Sequence, residues 1–447
     1  MTFEKRMKDA LVLLEDGEFS SAIDLASELI IERPTEADPI IVAAVSLYKV
    51  GKPGLAAMMY EAALQRAPDR AHVYSNLACC IVQNHPEEAL RLLRKGLDYD
   101  QKAPTLLANM CSAHLALGHY AEALEWARKC LEVDPGNRDA TYNSSLALLG
   151  QGAWRKGWQR YDVSLGNRHR KELFFNPNER RWSPDMKGVG TLVVYPEQGL
   201  GDEILFASMF EHLRDADRKE LIIQCDPRLE GLFKRSFPWA TVSGTRDREW
   251  CDWYERVDAK LEMGGLGSYF APNVFRKEKF LEADPCRRTM WRALFNGMGK
   301  KPKIGLAWSG GNADTGARKR SIPVEQLTPL VMGVDADFFS LEYRGEGCPP
   351  AIHDLRYGTR TRDYDDTAAM VSELDLIVSV TTTVVDLCGA LGKECWALAP
   401  SIPPWRYGFS GDKMHFYDSV KVFRQKDGEE WAPVIDRVTK ALKERFE

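Results

Sequence analysis

The stretch Tyr195-Pro196-Glu197-Gln198-Gly199-Leu200-Gly201-Asp202-Glu203-Ile204-Leu205-Phe206 decides how the larger part of this chain is read. A short apolar, β-branched run, 191–195, precedes it. An amphipathic run, 204–213, follows, with apolar residues at 204, 205, 206, 209, 210 and 213. The pattern is strand, glycine turn, helix. Gly199 and Gly201 suit positive φ and let another molecule approach the backbone. Asp202 falls where an Asp caps a helix whose free N–H groups favour anions. A carboxylate beyond the carboxyl end of a strand is also placed to act as a general base, so both roles stay open. The stretch lacks the Gly-Lys-Ser/Thr ending of a P-loop and the three-glycine dinucleotide fingerprint.

Downstream, strands are predicted at 191–195, 221–225 and 240–243, with helices at 203–214 and 227–236. A second series opens with the strand 303–308 and the turn Ser309-Gly310-Gly311-Asn312. It continues with a basic loop, Arg318-Lys319-Arg320, and a helix from Pro323. Strand 337–341, helix 364–373, strand 375–380, helix 383–391, strand 394–399 and a last helix over 430–445 complete it. Such alternation predicts parallel sheets covered by helices, here in two Rossmann-like halves, 188–300 and 301–447. The loop Gly264-Gly265-Leu266-Gly267 is expected to border the cleft between them. Residues 166–187 read as a polar linker broken by Asn176-Pro177-Asn178 and Ser183-Pro184.

Upstream, residues 1–165 repeat. Gly17, Gly51, Asn84 and Gly118 are spaced 34, 33 and 34, and so are Ala22, Ala56, Ala89 and Ala123. Pro34, Pro68, Gln101 and Pro135 keep the same spacing. Three marker sets sharing one single-residue deletion give the period of the tetratricopeptide repeat (TPR), so an all-α solenoid of helix pairs is expected. Its groove is expected to bind a peptide or protein, with a spacer or self-association surface as the other use. A modified unit, Gly152 to Asp162, with Trp154, Trp158 and Tyr161, reads as an aromatic cap.

The 447 residues are 44% hydrophobic and 28% charged, with a net charge of −5, which argues against a nucleic-acid partner. No apolar run approaches the ~18 residues of a membrane span, and the first residues lack an apolar signal core, so a cytoplasmic protein is expected. The ten cysteines form no C-x-x-C pair and the eight histidines are dispersed, so neither disulfides nor a metal are expected. Asp335-Ala336-Asp337 precedes a strand rather than following one.

Two further clusters carry chemistry. Arg318, Lys319 and Arg320 offer fixed positive charge and forked donors for a pyrophosphate. A buried strand ends in Ser379-Val380-Thr381-Thr382-Thr383, where hydroxyls and free N–H groups suit a phosphate, and Asp386 lies three residues past Thr383. A solvated charge run and an ordinary Thr cap are the plainer uses of these residues.

The motif "YPEQGLGDEILFA" resembles the first-strand segment of TPR-containing glycosyltransferases related to bacterial heptosyltransferases. "GAWRKGWQRYD", "RKRSIP" and "GKECWALAPSIPPWRYG" are similar to further segments of that group. "TTVVDLCGALG" resembles the Thr-Thr-x-x-Asp segment of O-GlcNAc transferases. The resemblance implies a GT-B fold and an inverting, metal-independent transferase without a separate cofactor. It would use a nucleotide sugar, UDP-sugars among them, on a protein or saccharide acceptor. It makes Asp202 the acceptor-side base. It places Gly199, Gly201, Ser309, Gly310, Arg318, Arg320, Thr381, Thr382, Thr383 and Asp386 around the donor. Asp386, in place of the His usual in heptosyltransferases, and the TPR array disfavour an ADP-heptose enzyme. A non-catalytic TPR scaffold with a decayed GT-B part is the alternative.

Overall fold

The computed structural model describes residues 2–446 except 168–169, 215–217, 246–250, 271–277, 312–319, 344–346 and 361. The chain divides between Ala147 and Leu148 into an all-helical unit and an α/β unit.

The first unit is a run of antiparallel helix pairs. They are α1 (Phe3–Glu15) with α2 (Phe19–Glu32), α3 (Ala37–Lys49) with α4 (Pro53–Arg66), α5 (Ala71–Ile81) with α6 (Pro86–Tyr99) and α7 (Pro104–Ala116) with α8 (Tyr120–Val133). Helix α9 (Arg138–Gly150) follows. The sequence markers have direct physical roles. Gly17, Gly51 and Gly118 turn the chain at φ +80°, +79° and +74°, values that only glycine adopts cheaply. Gly152, at φ +79°, continues that spacing. Ala22, Ala56, Ala89 and Ala123 are each fully buried, because the helices meet there too closely for a longer side chain.

The second unit contains two parallel sheets. Among the described residues the first has the order β1-β5-β2-β3-β4, with β1 Arg180–Arg181, β2 Thr191–Tyr195, β3 Glu220–Gln224, β4 Thr241–Ser243 and β5 Ala259–Glu262. The second has the order β11-β10-β9-β6-β7-β8. Its strands are β6 Lys303–Ala307, β7 Asp337–Ser340, β8 Ile352–His353, β9 Leu376–Val380, β10 Cys395–Ala399 and β11 Val420–Arg424. Every pairing in both sheets is parallel. Strands β2, β6, β9 and β10 are buried along their whole length, as helices on both faces require. In each sheet the strand order reverses about the first long strand, at β2/β5 and at β6/β9. Crevices outside the carboxyl ends at such points are where open α/β sheets bind ligands.

Several expected elements differ. The helix expected over 203–214 is α11 (Leu200–Ala207) and then a separate 3-10 turn, Phe210–Leu213. The helix expected from Pro323 is a 3-10 turn, Val324–Leu327, running into α15 (Thr328–Gly333). Residues 166–187, read as a linker, supply the edge strand β1 and the buried side chains of Arg170, Phe175 and Trp182. The loop 264–267, expected at the cleft, is buried. Gly264 and Gly265 are buried in a 3-10 turn that leads into α13 (Leu266–Phe270), and a Cβ at Gly267 would run into the ring of Trp158. Trp158 itself, expected to cap the array, lies on α10 (Trp154–Tyr161) within the α/β unit, edge-on to Phe206 and Trp405.

The other helices of this unit are α12 (Glu230–Ser236), α14 (Pro285–Gly297), α16 (Tyr364–Glu373), α17 (Thr383–Leu391) and α18 (Trp431–Phe446). Helix α17 carries Gly389 where a Cβ would overlap the buried ring of Tyr417. Gly389→Ala is therefore expected to destabilise the chain by about 1–3 kcal/mol despite the better helix propensity of alanine. Denaturant unfolding checks this, and equal or greater stability of the variant would contradict the packing.

Candidate active site

The turn after β2 presents Asp202 by a local device. Gly199 stands at the helix N-cap with φ −86° and ψ 168°, and its N–H donates to Asp202 Oδ2 at 3.2 Å. Asp202 therefore does cap α11. Neither Gly199 nor Gly201 takes the positive φ expected of them. Gly201 is needed instead for close approach. A Cβ there would lie 3.0 Å from Asp386 Oδ2 and 3.2 Å from Thr383 Oγ1. The N-termini of α11 and α17, one from each sheet, thus meet backbone against side chain.

Arg406 joins the two carboxylates. It follows β10 in the 3-10 turn Trp405–Tyr407, and its guanidinium donates to Asp202 Oδ1 and, at 3.2 Å, to Asp386 Oδ2. Asp386 is 2% exposed, and Asp386 Oδ1 has no hydrogen-bond partner among the described residues. Burial pushes the Asp386 carboxyl up to about 7. Arg406 opposes that rise, and the nearby Asp202 charge adds to it.

The remaining residues of the second sheet cluster at its β6/β9 switch point. Arg320 Nε donates to Thr381 Oγ1 at 3.0 Å and its NH2 group donates to the Thr381 carbonyl. Thr382 caps α17, accepting from Val384 N at 3.3 Å and lying 3.1 Å from Ser379 Oγ. Gly310 lies so close that a Cβ would come 3.1 Å from both Arg320 O and Thr382 Cγ2. Ser309 is turned to Glu342, which accepts from Ser309 N at 2.8 Å, from Trp308 N at 2.7 Å and from Ser309 Oγ. Arg318 and Lys319 lie outside the described residues.

Four residues are given no site role by the sequence reading. They are Arg406, Glu342 and the pair Arg170–Glu197. Arg170 and Glu197, 3.2 Å apart and both buried, brace the glycine turn from behind. Glu197 Oε1 accepts from Gly264 N at 2.9 Å, and Arg170 NH1 donates to Tyr161 O at 2.9 Å. Burial pushes the Glu197 carboxyl to about 7, against the pull of Arg170. A cavity of about 280 Å³ beside Leu213, Trp239 and Thr241 opens at the amino ends of β3 and β4, the wrong end of the sheet for this cluster.

The family model described as tetratricopeptide repeat matches residues 104–137, the α7–α8 pair and its connection. The N-terminal unit is thus an all-helical, TPR-like array whose α7–α8 pair matches the tetratricopeptide repeat. Protein FlbA of Caulobacter vibrioides is 23% identical to this chain over 465 aligned residues, which cover 89% of this chain and 77% of FlbA. Among solved structures, the thermophilic TPR protein TTC0263 of Thermus thermophilus is 16% identical, covering 36% of this chain and 89% of its own at a TM-score of 0.33. The TPR protein YrrB, whose structure is described as having an unusual peptide-binding site, is 19% identical, covering 37% of this chain and 91% of its own at a TM-score of 0.31. No helix among the described residues is long and apolar enough to cross a membrane.

The raised Asp386 carboxyl makes a pH prediction. An acid whose folded pKa exceeds its unfolded value of ~3.9 adds stability below that value and loses it as pH rises through the folded pKa. Asp386→Asn mimics the neutral acid. The variant should therefore gain on the wild type as pH climbs from 4 to 8, by up to about 4 kcal/mol. Denaturant unfolding at several pH values measures the difference, and a constant offset would show that Asp386 titrates normally.

Proposed function

We propose that the α/β unit is a GT-B glycosyltransferase, inverting and metal-independent, that moves a sugar from a nucleotide sugar to a protein or saccharide acceptor. The observation that carries this reading is convergence. A carboxylate at the ligand-binding end of one sheet, Asp202, meets a cationic, hydroxyl-rich helix N-terminus at the switch point of the other. The first supplies a base and the second suits a diphosphate.

In the proposed reaction the acceptor hydroxyl oxygen attacks the anomeric carbon while its proton passes to Asp202. The bond from that carbon to the diphosphate oxygen breaks with its electron pair on the diphosphate. Arg320 and the first-turn N–H groups of α17 offset the developing charge, a task for which fixed side chains serve without a metal. The buried Asp386 Oδ1, which has no hydrogen-bond partner among the described residues, is the group this reading assigns to the donor hydroxyls.

The array recruits the acceptor or a partner protein. A recess of about 300 Å³ between α4, α5 and α6 mixes Leu64, Leu77, Ile81 and Leu92 with Glu61 and Glu88, which suits an apolar segment carrying a basic residue. A second reading, a TPR scaffold that no longer transfers sugar, draws on the ion pair that ties Asp202 to Arg406.

Asp202→Asn keeps the size of the side chain and a capping oxygen but cannot take a proton. It is expected to retain nucleotide binding and to slow transfer by ~10²–10⁴-fold. Radiolabelled sugar transfer with single-turnover kinetics reads this. Near-normal transfer by the variant would leave Asp202 only its capping role. No transfer by the wild type from any nucleotide sugar, together with tight peptide binding by the array, would favour the scaffold.

A further inference from the structure

Arg406 has no part in the proton transfer proposed above, yet it is the residue that touches both halves of the site. Its guanidinium holds Asp202 from the first sheet and Asp386 from the second. The turn that carries it is firmly seated. Trp405 packs edge-on against Trp158 at 5.5 Å and Phe416 at 5.8 Å, and Tyr407 is 1% exposed. The two carboxylates are not equivalent. The Asp202 side chain keeps 20% of its surface in solvent and the Asp386 side chain only 2%.

We infer that Arg406 is a second cation, beside Arg320, that binds the diphosphate of an incoming nucleotide, and that Asp202 occupies the Arg406 guanidinium until the diphosphate displaces it. The inference rests on the transferase reading of the same site. Arg406 already donates to both Asp202 and Asp386, so its donors are occupied before a diphosphate arrives. A planar guanidinium has donors for two anions at once. Arg406 can therefore keep the buried Asp386 and exchange the more exposed Asp202 for a phosphate oxygen. Asp386 lies in the first turn of α17, beside the N–H groups of that helix end. The exchange frees the Asp202 carboxylate, so donor binding switches on the base. The unliganded site holds its own base in check, and a bare acceptor finds no free carboxylate.

Calorimetric titration of UDP, GDP and ADP into the full chain tests this with a double-mutant cycle. Arg406→Gln is expected to weaken the best-bound nucleotide by ~10- to 150-fold, the worth of a charge-assisted hydrogen bond. Asp202→Asn is expected to tighten it by ~10-fold, because the competitor for Arg406 is gone. In the Arg406→Gln background the same Asp202→Asn change should alter affinity by less than ~2-fold. Melting curves check folding, and Arg406→Lys replaces Arg406→Gln in the cycle should that variant not fold. An Asp202→Asn chain that binds no tighter than the wild type would overturn the inference and leave the transferase reading standing. Equal tightening in both backgrounds would also overturn it, since Asp202 would then act through its general field. Failure of every nucleotide to bind any of the chains would overturn both.

Discussion

A half-buried guanidinium between two carboxylates joins the two sheets of the α/β unit at the candidate site. Arg406 draws Asp202 and Asp386 to one point, although they start from different sheets. Removing Arg406 would leave the buried Asp386 without its donor, and breaking a fully buried pair costs about 3–5 kcal/mol, an upper bound here because Arg406 is partly exposed. The set is sustainable here because Arg406 is a bidentate donor and because Asp386 does not ionise readily, its carboxyl being pushed up to about 7.

The backbone makes that cluster possible. Both sheets are parallel and both reverse order beside their first long strand, so the turns after β2, β6 and β9 bring Asp202, Arg320 and the 381–386 run to the switch points, while Arg406 follows β10. Gly201 lets α11 approach α17 to within contact of Thr383, and Gly310 does the same for the chain beside Thr382. Behind the first turn, the Arg170–Glu197 pair and the ring of Trp158 leave little freedom for the loop that holds Asp202. Rigid support of this kind is what a positioned base requires.

How much of this was legible in the sequence depended on whether each signal was local. The repeat markers were legible because glycine turns and fully buried alanines impose residue types at fixed spacing. Strands β2, β6, β9 and β10 were legible as apolar runs because both their faces are covered. Strand β5, Ala-Lys-Leu-Glu, was not. Its buried Lys260 is neutralised by Glu179 at 3.0 Å and Glu172 at 3.2 Å, and its buried Glu262 by Arg181, partners no hydropathy pattern reveals. Strand β1 is two exposed arginines and carries no apolar signal. At the site, Asp202, Arg320 and the Thr381–Asp386 run stood out by motif. Arg406 lay within a quoted motif, 392–408, but drew no role of its own, because its partners lie 204 and 20 residues away. Ser309 was expected at the donor, but Glu342, itself buried, takes both its N–H and its hydroxyl.

The central claim is that this α/β unit binds a nucleotide at the Asp202–Arg406–Asp386 cluster. A thermal-shift screen of the full chain against UDP, GDP, ADP and their sugars measures it most directly. A ligand present at ~100 times its Kd adds about 2.7 kcal/mol of stability, so one nucleotide class should raise the melting temperature, and its sugar conjugate should do so too. An unchanged melting temperature with every nucleotide and nucleotide sugar, at millimolar concentrations, would contradict the account.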